Sequence, residues 1–375
     1  MGNFMLTENV IKTTEIPSLA VSQSLRIHAA PTSAQPVNPI HCRNWDAQVG
    51  AHANSSIFYS VAWAKVLAAT YGFTPICFVE NSGGAAQSFL PLMEVRSWLT
   101  GRRGIGLPFT DYCGRLCPDA DSFNKLFWRA VEYGKARGWK YLEYRGGREW
   151  LDGARPSLSF YGHTLNLDTD EDGLFARLEG SVRQAIRKAG KSGVTVTVSR
   201  DLEAMQTFYS LQCKTRKKHG LPPQPFAFFR NIHEHILSHN LGVVVVAKSQ
   251  ERPIAASVYF QSGDRAVYKF GASDETFQHL RGPNLVMWEA IKWHVHNKAK
   301  TLHMGRTSLG NAGLRRFKLG WGAVEEQIEY VKYDLQRSQF IADKDESSGW
   351  HNQFFRRLPV GLSQLMGAVL YRHWA

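Results

Sequence analysis

Val194, Val196 and Val198 alternate with Thr195, Thr197 and Ser199, the period-two pattern of a strand with one buried face. Upstream, SVRQAIRKAGKSG (181–193) spaces its apolar residues three and four apart and predicts a helix, capped by Ser181 and ended by Gly193. Arg183, Arg187 and Lys191 stack along one face of that helix. Downstream, LEAMQTFYSLQCKTRKKHG (202–220) predicts a longer amphipathic helix that LPPQP stops. GVVVVAK, PIAASVYFQ and AVYKFGA follow as three β runs joined by short turns, an antiparallel meander. A polar loop ending in Arg281-Gly282-Pro283-Asn284 opens a helix whose core face is Leu285, Trp288, Ile291 and Val295. The strand TLHMGRT, a short helix around Leu314 to Leu319 and the strand EEQIEYVKYDL complete the run.

Part of this pattern occurs twice. LFWRAVEYGKARGWKYL (126–142) falls on VMWEAIKWHVHNKAKTL (286–302), with Trp128 on Trp288, Ala130 on Ala290, Lys140 on Lys300 and Leu142 on Leu302. Each copy is a helix followed by a short apolar strand that reaches an arginine, Arg145 or Arg306. A duplication is the expectation, with its boundary near the acidic segment LNLDTDEDGLF (165–175).

A chain of 375 residues exceeds what one hydrophobic core usually serves, so two domains are expected. With 43% hydrophobic and 21% charged residues, it has the composition of a folded globular protein. Its longest apolar runs fall well short of the ~20 residues of a spanning helix. The first forty residues carry no apolar block of signal-peptide length and read as the loose arm of a cytoplasmic protein. Five cysteines (Cys42, Cys77, Cys113, Cys117, Cys213), an odd number, suit reduced thiols. The net charge of +13 implies attraction to an anionic partner: nucleic acid, an acidic lipid surface or a phosphorylated donor.

The order helix, strand, helix, three strands, helix, strand, helix, strand is that of a GNAT-type acyltransferase. The chain also resembles the FemAB-related, GNAT-like proteins that accompany exopolysaccharide and exosortase loci, relatives of the peptidoglycan interpeptide-bridge aminoacyltransferases. The pieces that carry the resemblance are residues 90–116, SVRQAIRKAGKSGV, TRKKHGLPPQPFAFF, GPNLVMWEAIKW, MGRTSLGNAGLRRFKLGWG and LPVGLSQLMGAVLYRHW. The resemblance implies an α/β (α+β) fold of two tandem GNAT-like domains, with mixed, mostly antiparallel sheets flanked by helices. The expected division is a flexible arm over 1–40, domains over 41–165 and 166–335 with the donor site in the second, and a tail with an amphipathic helix over 336–375. It implies an acyl or aminoacyl transfer to an amine of a cell-envelope or exopolysaccharide precursor, with no tightly bound cofactor. The donor is either an acyl-CoA or an aminoacyl-tRNA, because the loop Gln278 to Asn284 supplies one glycine and a proline where a GNAT pantetheine loop ideally has more free amides. The alternative is a non-catalytic basic module that binds nucleic acid or an anionic glycan.

Acyl transfer to an amine needs a group that receives the nucleophile's proton and donors for the developing oxyanion. His219, held at a helix exit by a glycine and prolines, is one candidate base, or a surface histidine; Asp111 in PFTDYCG is the other, or a turn-forming residue. Arg306 is placed to clamp a carboxylate or phosphate. Gly271 interrupts a β run, as at a bulge or a close backbone approach, and with Arg281, Gly282, Asn284 and Leu285 it outlines the expected donor site. Arg145, Arg183, Arg187, Arg216 and Lys318 are expected on the substrate, or on solvated faces. NIHEHILSH (231–239) lacks the His-Glu-x-x-His spacing of a zincin helix, so no metal site is assigned. The apolar stripe Leu358, Leu362, Leu365, Met366, Val369 and Leu370, flanked by Arg356, Arg357 and Arg372, either lies on an anionic membrane or packs across the two domains. The expected location is the cytoplasm, free or at the inner face of the membrane.

Overall fold

The computed structural model describes residues 36–82, 85–343 and 351–374. Most of the arm expected over 1–40 lies outside the described residues. The first half runs through helices α1 (Trp45–Gly50) and α2 (Val61–Tyr71), strands β1 (Thr74–Ser82), β2 (Ala85–Ser97) and β3 (Gly101–Ile105), helix α3 (Ala120–Ala136), and strands β4 (Trp139–Tyr144) and β5 (Leu158–Asn166). Next come α4 (Glu171–Arg177), α5 (Gly180–Lys191), β6 (Thr195–Ser199), α6 (Leu202–Lys218) and α7 (Phe226–His235). The meander is β7 (Gly242–Ser249), β8 (Arg252–Ser262) and β9 (Arg265–Ser273), followed by α8 (Gly282–His296), β10 (Thr301–Ser308), α9 (Ala312–Leu319), β11 (Val324–Asp334) and β12 (Gln339–Phe340). Helices α10 (His351–Arg357) and α11 (Val360–Leu370) close the chain.

Side-chain caps fix several helix starts by satisfying otherwise orphaned amides. Ser60 accepts from Trp63 N, Asp119 from Ser122 N, Asp170 from Gly173 N, Asp201 from Ala204 N and Asn311 from Leu314 N. Helix α5 differs from the sequence reading: its cap position is Glu179, not Ser181, because the helix begins with Gly180. Helix α7 was not anticipated, although Phe228, Phe229 and Ile232 are buried and Arg230 and Glu234 exposed, because the preceding prolines (Pro222, Pro223, Pro225) read as loop.

The strands form a mixed sheet in the order β1-β2-β3-β4-β11-β5-β10-β9-β8-β7-β6, with β12 paired to β11. The internal echo is a structural one. Strand β4 runs parallel to β3 across helix α3, and β10 runs parallel to β9 across helix α8, so each copy is the same crossover unit. At the centre the two halves exchange strands. Strand β5 leaves the first half to pair with β10, while the end of β11 (Val331–Asp334) pairs with β4 and its beginning (Val324–Tyr330) pairs with β5.

An aromatic interlock joins the halves beneath this seam. The Trp63 ring of α2 lies 6.0 Å from both Phe228 of α7 and Phe260 of β8, and Tyr71 lies 5.6 Å from Phe228. Trp63 is fully buried; truncating it to alanine would cost about 3–5 kcal/mol and loosen both halves together. Helix α11 also spans the halves, but by its small residues. Ser363 and Gly367 are buried against α6 and Pro223, whereas Leu362, Leu365 and Val369 of the apolar stripe face outward.

Candidate active site

Strands β9 and β10 pair only from Arg265–Val267 to Thr301–His303 and then part. Irregularities lie on both sides of the parting. In β9 the register with β8 jumps between Phe270 and Tyr268, leaving Lys269 as the bulged residue. In β10 the register with β5 jumps between His303 and Arg306, with Gly305 in the left-handed region at φ +75°. Bulges of this kind bend a strand and re-aim its side chains; here they turn Lys269, His303 and Arg306 toward one place.

The loop after β3 reaches into that place from the other half. Leu107 and Phe109 both adopt positive φ (46° and 62°), a conformation costing each non-glycine residue roughly 1–2 kcal/mol. Arg145 holds the loop: it donates to Thr110 O at 2.8 Å, pairs with Glu143 at 3.2 Å, and its own carbonyl accepts from Cys113 N at 2.8 Å. The result is Asp111 seated over Gly305, where a Cβ added to the glycine would lie 3.2 Å from Oδ2.

Around Asp111 stand five groups that can titrate or donate. Lys269 Nζ and Arg306 Nε each lie 3.9 Å from its carboxylate. Burial pushes the Asp111 carboxyl up, but these cations outweigh it and hold the group below its ordinary value. Lys269 donates to Phe109 O, and burial lowers its pKa against the pull of Asp111. Lys318 of α9 is 3% exposed and donates to Gly305 O at 2.7 Å and Arg306 O at 3.0 Å; burial pushes its pKa down to about 8. Burial likewise pushes His303 down to about 4, so its ring is neutral near pH 7. Its Nδ1 accepts from Gly305 N at 3.2 Å, which places the ring proton on Nε2, a buried atom with no partner among the described residues. Tyr330 closes the ring of contacts, donating to Asp111 O at 2.6 Å and accepting from Arg306 at 2.8 Å.

The arrangement therefore brings three sequence candidates together, Asp111, Arg306 and Lys318, and adds Lys269, His303 and Tyr330, which the sequence reading missed. Lys269 had a signal: a lone lysine inside the apolar run AVYKFGA. Arg306 lies within β10 rather than after it, stacked 4.2 Å above the Phe160 ring.

The remaining candidates, apart from Arg145 beside the Tyr330 ring, lie elsewhere. His219 is an exposed helix C-cap whose electrostatic neighbours are Arg216, Lys218, Arg356 and Glu275, none of them in the Asp111 cluster. Arg216 is engaged by Pro222 O and the Tyr371 hydroxyl, tying α6 to the C-terminal helix. On α5, Arg183 donates to Ala176 O and Arg187 stacks over Phe175. Arg145 anchors the loop instead of facing open space. Gly271 makes room for a side chain, not a backbone: a Cβ there would lie 1.8 Å from the Tyr268 hydroxyl. Gly282 lets α8 start against Ile254 of β8. At the α8 tip Arg281 has φ 58°, Asn284 and Leu285 both turn their amides back to Arg281 O, and Pro283 has none. That tip offers a pyrophosphate fewer amides than an ordinary helix start.

Comparison with known proteins bears on the fold. Residues 176–325 match the family described as "Acetyltransferase (GNAT) domain". The structure of FemX is similar with a TM-score of 0.64 and 16% identity, covering 76% of this chain and 94% of that one. A tandem GNAT protein from the clavulanic acid biosynthesis pathway is similar at 0.54 and 11% identity, covering 80% and 97%. The C-terminal domain of a putative lysylphosphatidylglycerol synthetase from Agrobacterium fabrum is similar at 0.53 and 14% identity, covering 81% and 92%. No curated protein matches the chain in sequence. The repeated crossover unit and these likenesses agree on the fold: residues 176–325 match the GNAT acetyltransferase domain family, within a mixed α/β fold similar to those of FemX and a tandem GNAT protein.

Proposed function

We propose that the protein is a FemAB-like transferase that moves an acyl or aminoacyl group from an activated ester or thioester to an amine of a cell-envelope or exopolysaccharide precursor. The observation that carries this reading is the cluster over Gly305, where one carboxylate, two lysines, an arginine and a neutral histidine with an unpartnered N–H converge at the parting of β9 and β10. Asp111, held ionised, positions the incoming ammonium. Lys318, with a pKa of about 8, is partly neutral at mildly alkaline pH and takes the proton the amine must lose. The amine nitrogen then attacks the donor carbonyl carbon. His303 Nε2–H, with Lys269 and Arg306 nearby, offers donors to the oxyanion. The carbon–oxygen or carbon–sulfur bond breaks, the leaving group takes the second proton from the attacking nitrogen, and Lys318 releases the first to solvent. No covalent enzyme intermediate is involved. Both donor classes stay within this reading; the amide-poor α8 tip supports testing an aminoacyl ester beside acyl-CoA.

The test supplies the full chain with acyl-CoA or aminoacyl-tRNA and amine-bearing precursors, and detects amide product by mass spectrometry. Asp111→Asn should lower the rate by roughly 10²–10⁴-fold while the melting temperature holds. Product formation at the wild-type rate in that variant would remove the proposed site. Thermal stabilisation by unacylated RNA alone, with steep salt dependence, would instead favour a basic nucleic-acid-binding module.

A further inference from the structure

Helix α11 turns its bulky apolar side chains away from the protein. Its packed face is Ser363 and Gly367, the latter so close to Pro223 O that an added Cβ would lie 1.9 Å from it. Leu362, Leu365 and Val369 are 52%, 63% and 52% exposed, at the i, i+3, i+7 spacing of one stripe. Arg372 and Trp374, just past the helix end, are also exposed. The hairpin tip between β2 and β3 adds Trp98, 85% exposed, and Leu99, 54% exposed.

Hidden polar bonds fasten the helix end and the hairpin to each other. Ser97 Oγ lies 2.9 Å from His373 Nδ1, and the buried Arg103 donates to His373 O at 2.7 Å. The Trp98 ring meets the His373 ring edge-on at 5.5 Å. Trp98 and Leu99 are thus held in place beside the α11 terminus. The surroundings are basic. Arg96, Arg102, Arg356, Arg357 and Arg372 are exposed, and residues 95–105 and 351–374 contain no Asp or Glu. Among the described residues, only Arg96 of these five has an ion-pair partner, Glu94, which it shares with Arg137.

We infer that this face docks the protein on an anionic lipid bilayer, with Trp98, Leu99 and the Leu362–Leu365–Val369 stripe at the headgroup boundary and the arginines on the headgroup phosphates. A tryptophan beside arginines on a flat apolar patch suits that boundary, where one end of the ring is wet and the other is not. No helix among the described residues is long and apolar enough to cross the membrane, so the contact lies on the surface. Charge argues against a second copy as the occupant, since a self-complementary contact would set arginines against arginines with no carboxylate in either segment.

The experiment is flotation of the full chain with vesicles of phosphatidylcholine alone and of phosphatidylcholine mixed with phosphatidylglycerol. The expected result is strong partition to the anionic vesicles, weak partition to the neutral ones, and release by salt. The double substitutions Trp98→Ser with Leu99→Ser, and Leu365→Ser with Val369→Ser, change only exposed side chains and should each lower partition by roughly tenfold or more. Arg357→Gln should lower it by roughly fivefold. Far-ultraviolet circular dichroism and melting confirm that each variant is folded. Failure to float with anionic vesicles, or partition unchanged in both double variants, overturns the inference. A dimer in light scattering that Trp98→Ser with Leu99→Ser dissociates overturns it too, by making the patch a self-contact. Flotation needs no turnover, so the result is independent of the transferase assay.

Discussion

Replacing Lys318 with methionine should leave stability near pH 7 almost unchanged while abolishing a pH dependence that the wild type possesses. The ammonium is 3% exposed, and burial pushes its pKa from 10.5 to about 8. That gap means the fold disfavours the charged form by about 3 kcal/mol relative to the unfolded chain. Between these two values the unfolded chain binds more protons than the folded one, so the wild type gains stability as pH rises from about 8 toward 10.5. Methionine removes the penalty of about 3 kcal/mol but leaves Gly305 O and Arg306 O without their donor, at roughly 1 kcal/mol each. The variant should therefore match the wild type within about 1 kcal/mol near pH 7. Near pH 10, where the wild-type amine is neutral and still donates, the variant should be the less stable by about 2 kcal/mol. Urea unfolding of both proteins at the two pH values measures the difference. A difference that stays constant between them would refute the burial and titration assigned to Lys318. The same substitution should erase a rate limb centred near pH 8 in the amide-forming assay.

Gly305→Val places a β-branched side chain at φ +75° and 3.2 Å from the Asp111 carboxylate. It should cost roughly 1–2 kcal/mol in unfolding experiments and reduce turnover more than Gly305→Ala does; a wild-type melting curve would show the bulge to be misplaced. Glu94 is buried, which raises its pKa, but Arg137, Arg96 and Trp139 bond it strongly enough to bring it to about 2. Its contribution, roughly 2 kcal/mol once the exposure of its arginine partners is allowed for, is present above pH 4.5 and lost as pH falls toward 2. Glu94→Gln should flatten that part of the acid-unfolding curve, and an unchanged acid limb would count against the assignment.

The elements of the second half were legible because each announces itself locally. Val194 to Ser199 alternate at period two, the meander's strands are short apolar runs bounded by turn residues, and α8 is a long apolar stretch that starts at Gly282-Pro283. The doubled helix–strand unit was readable for the same reason, and α3–β4 and α8–β10 occupy equivalent parallel crossovers. Helix α7 escaped because it is only ten residues long and follows a proline-rich stretch that reads as loop. The site was only half legible. Asp111, Arg306 and Lys318 were candidates as separate residues, but nothing within a window of sequence says that Asp111 meets residues some two hundred positions away.

The sequence by itself determined the element types, the repeat and the positive charge, all of which are readable within short stretches or by simple count. Tertiary structure decided the rest. It alone exchanged β5 and β11 across the seam, set the two bulges that turn Lys269 and Arg306 toward Asp111, and faced the leucines of α11 outward by packing Gly367 on Pro223. The physical reason is that strand register, burial and pKa depend on which distant segment supplies the other half of each contact. A lysine's neighbours in sequence do not reveal whether it will stand in water or, as Lys318 does, in the interior.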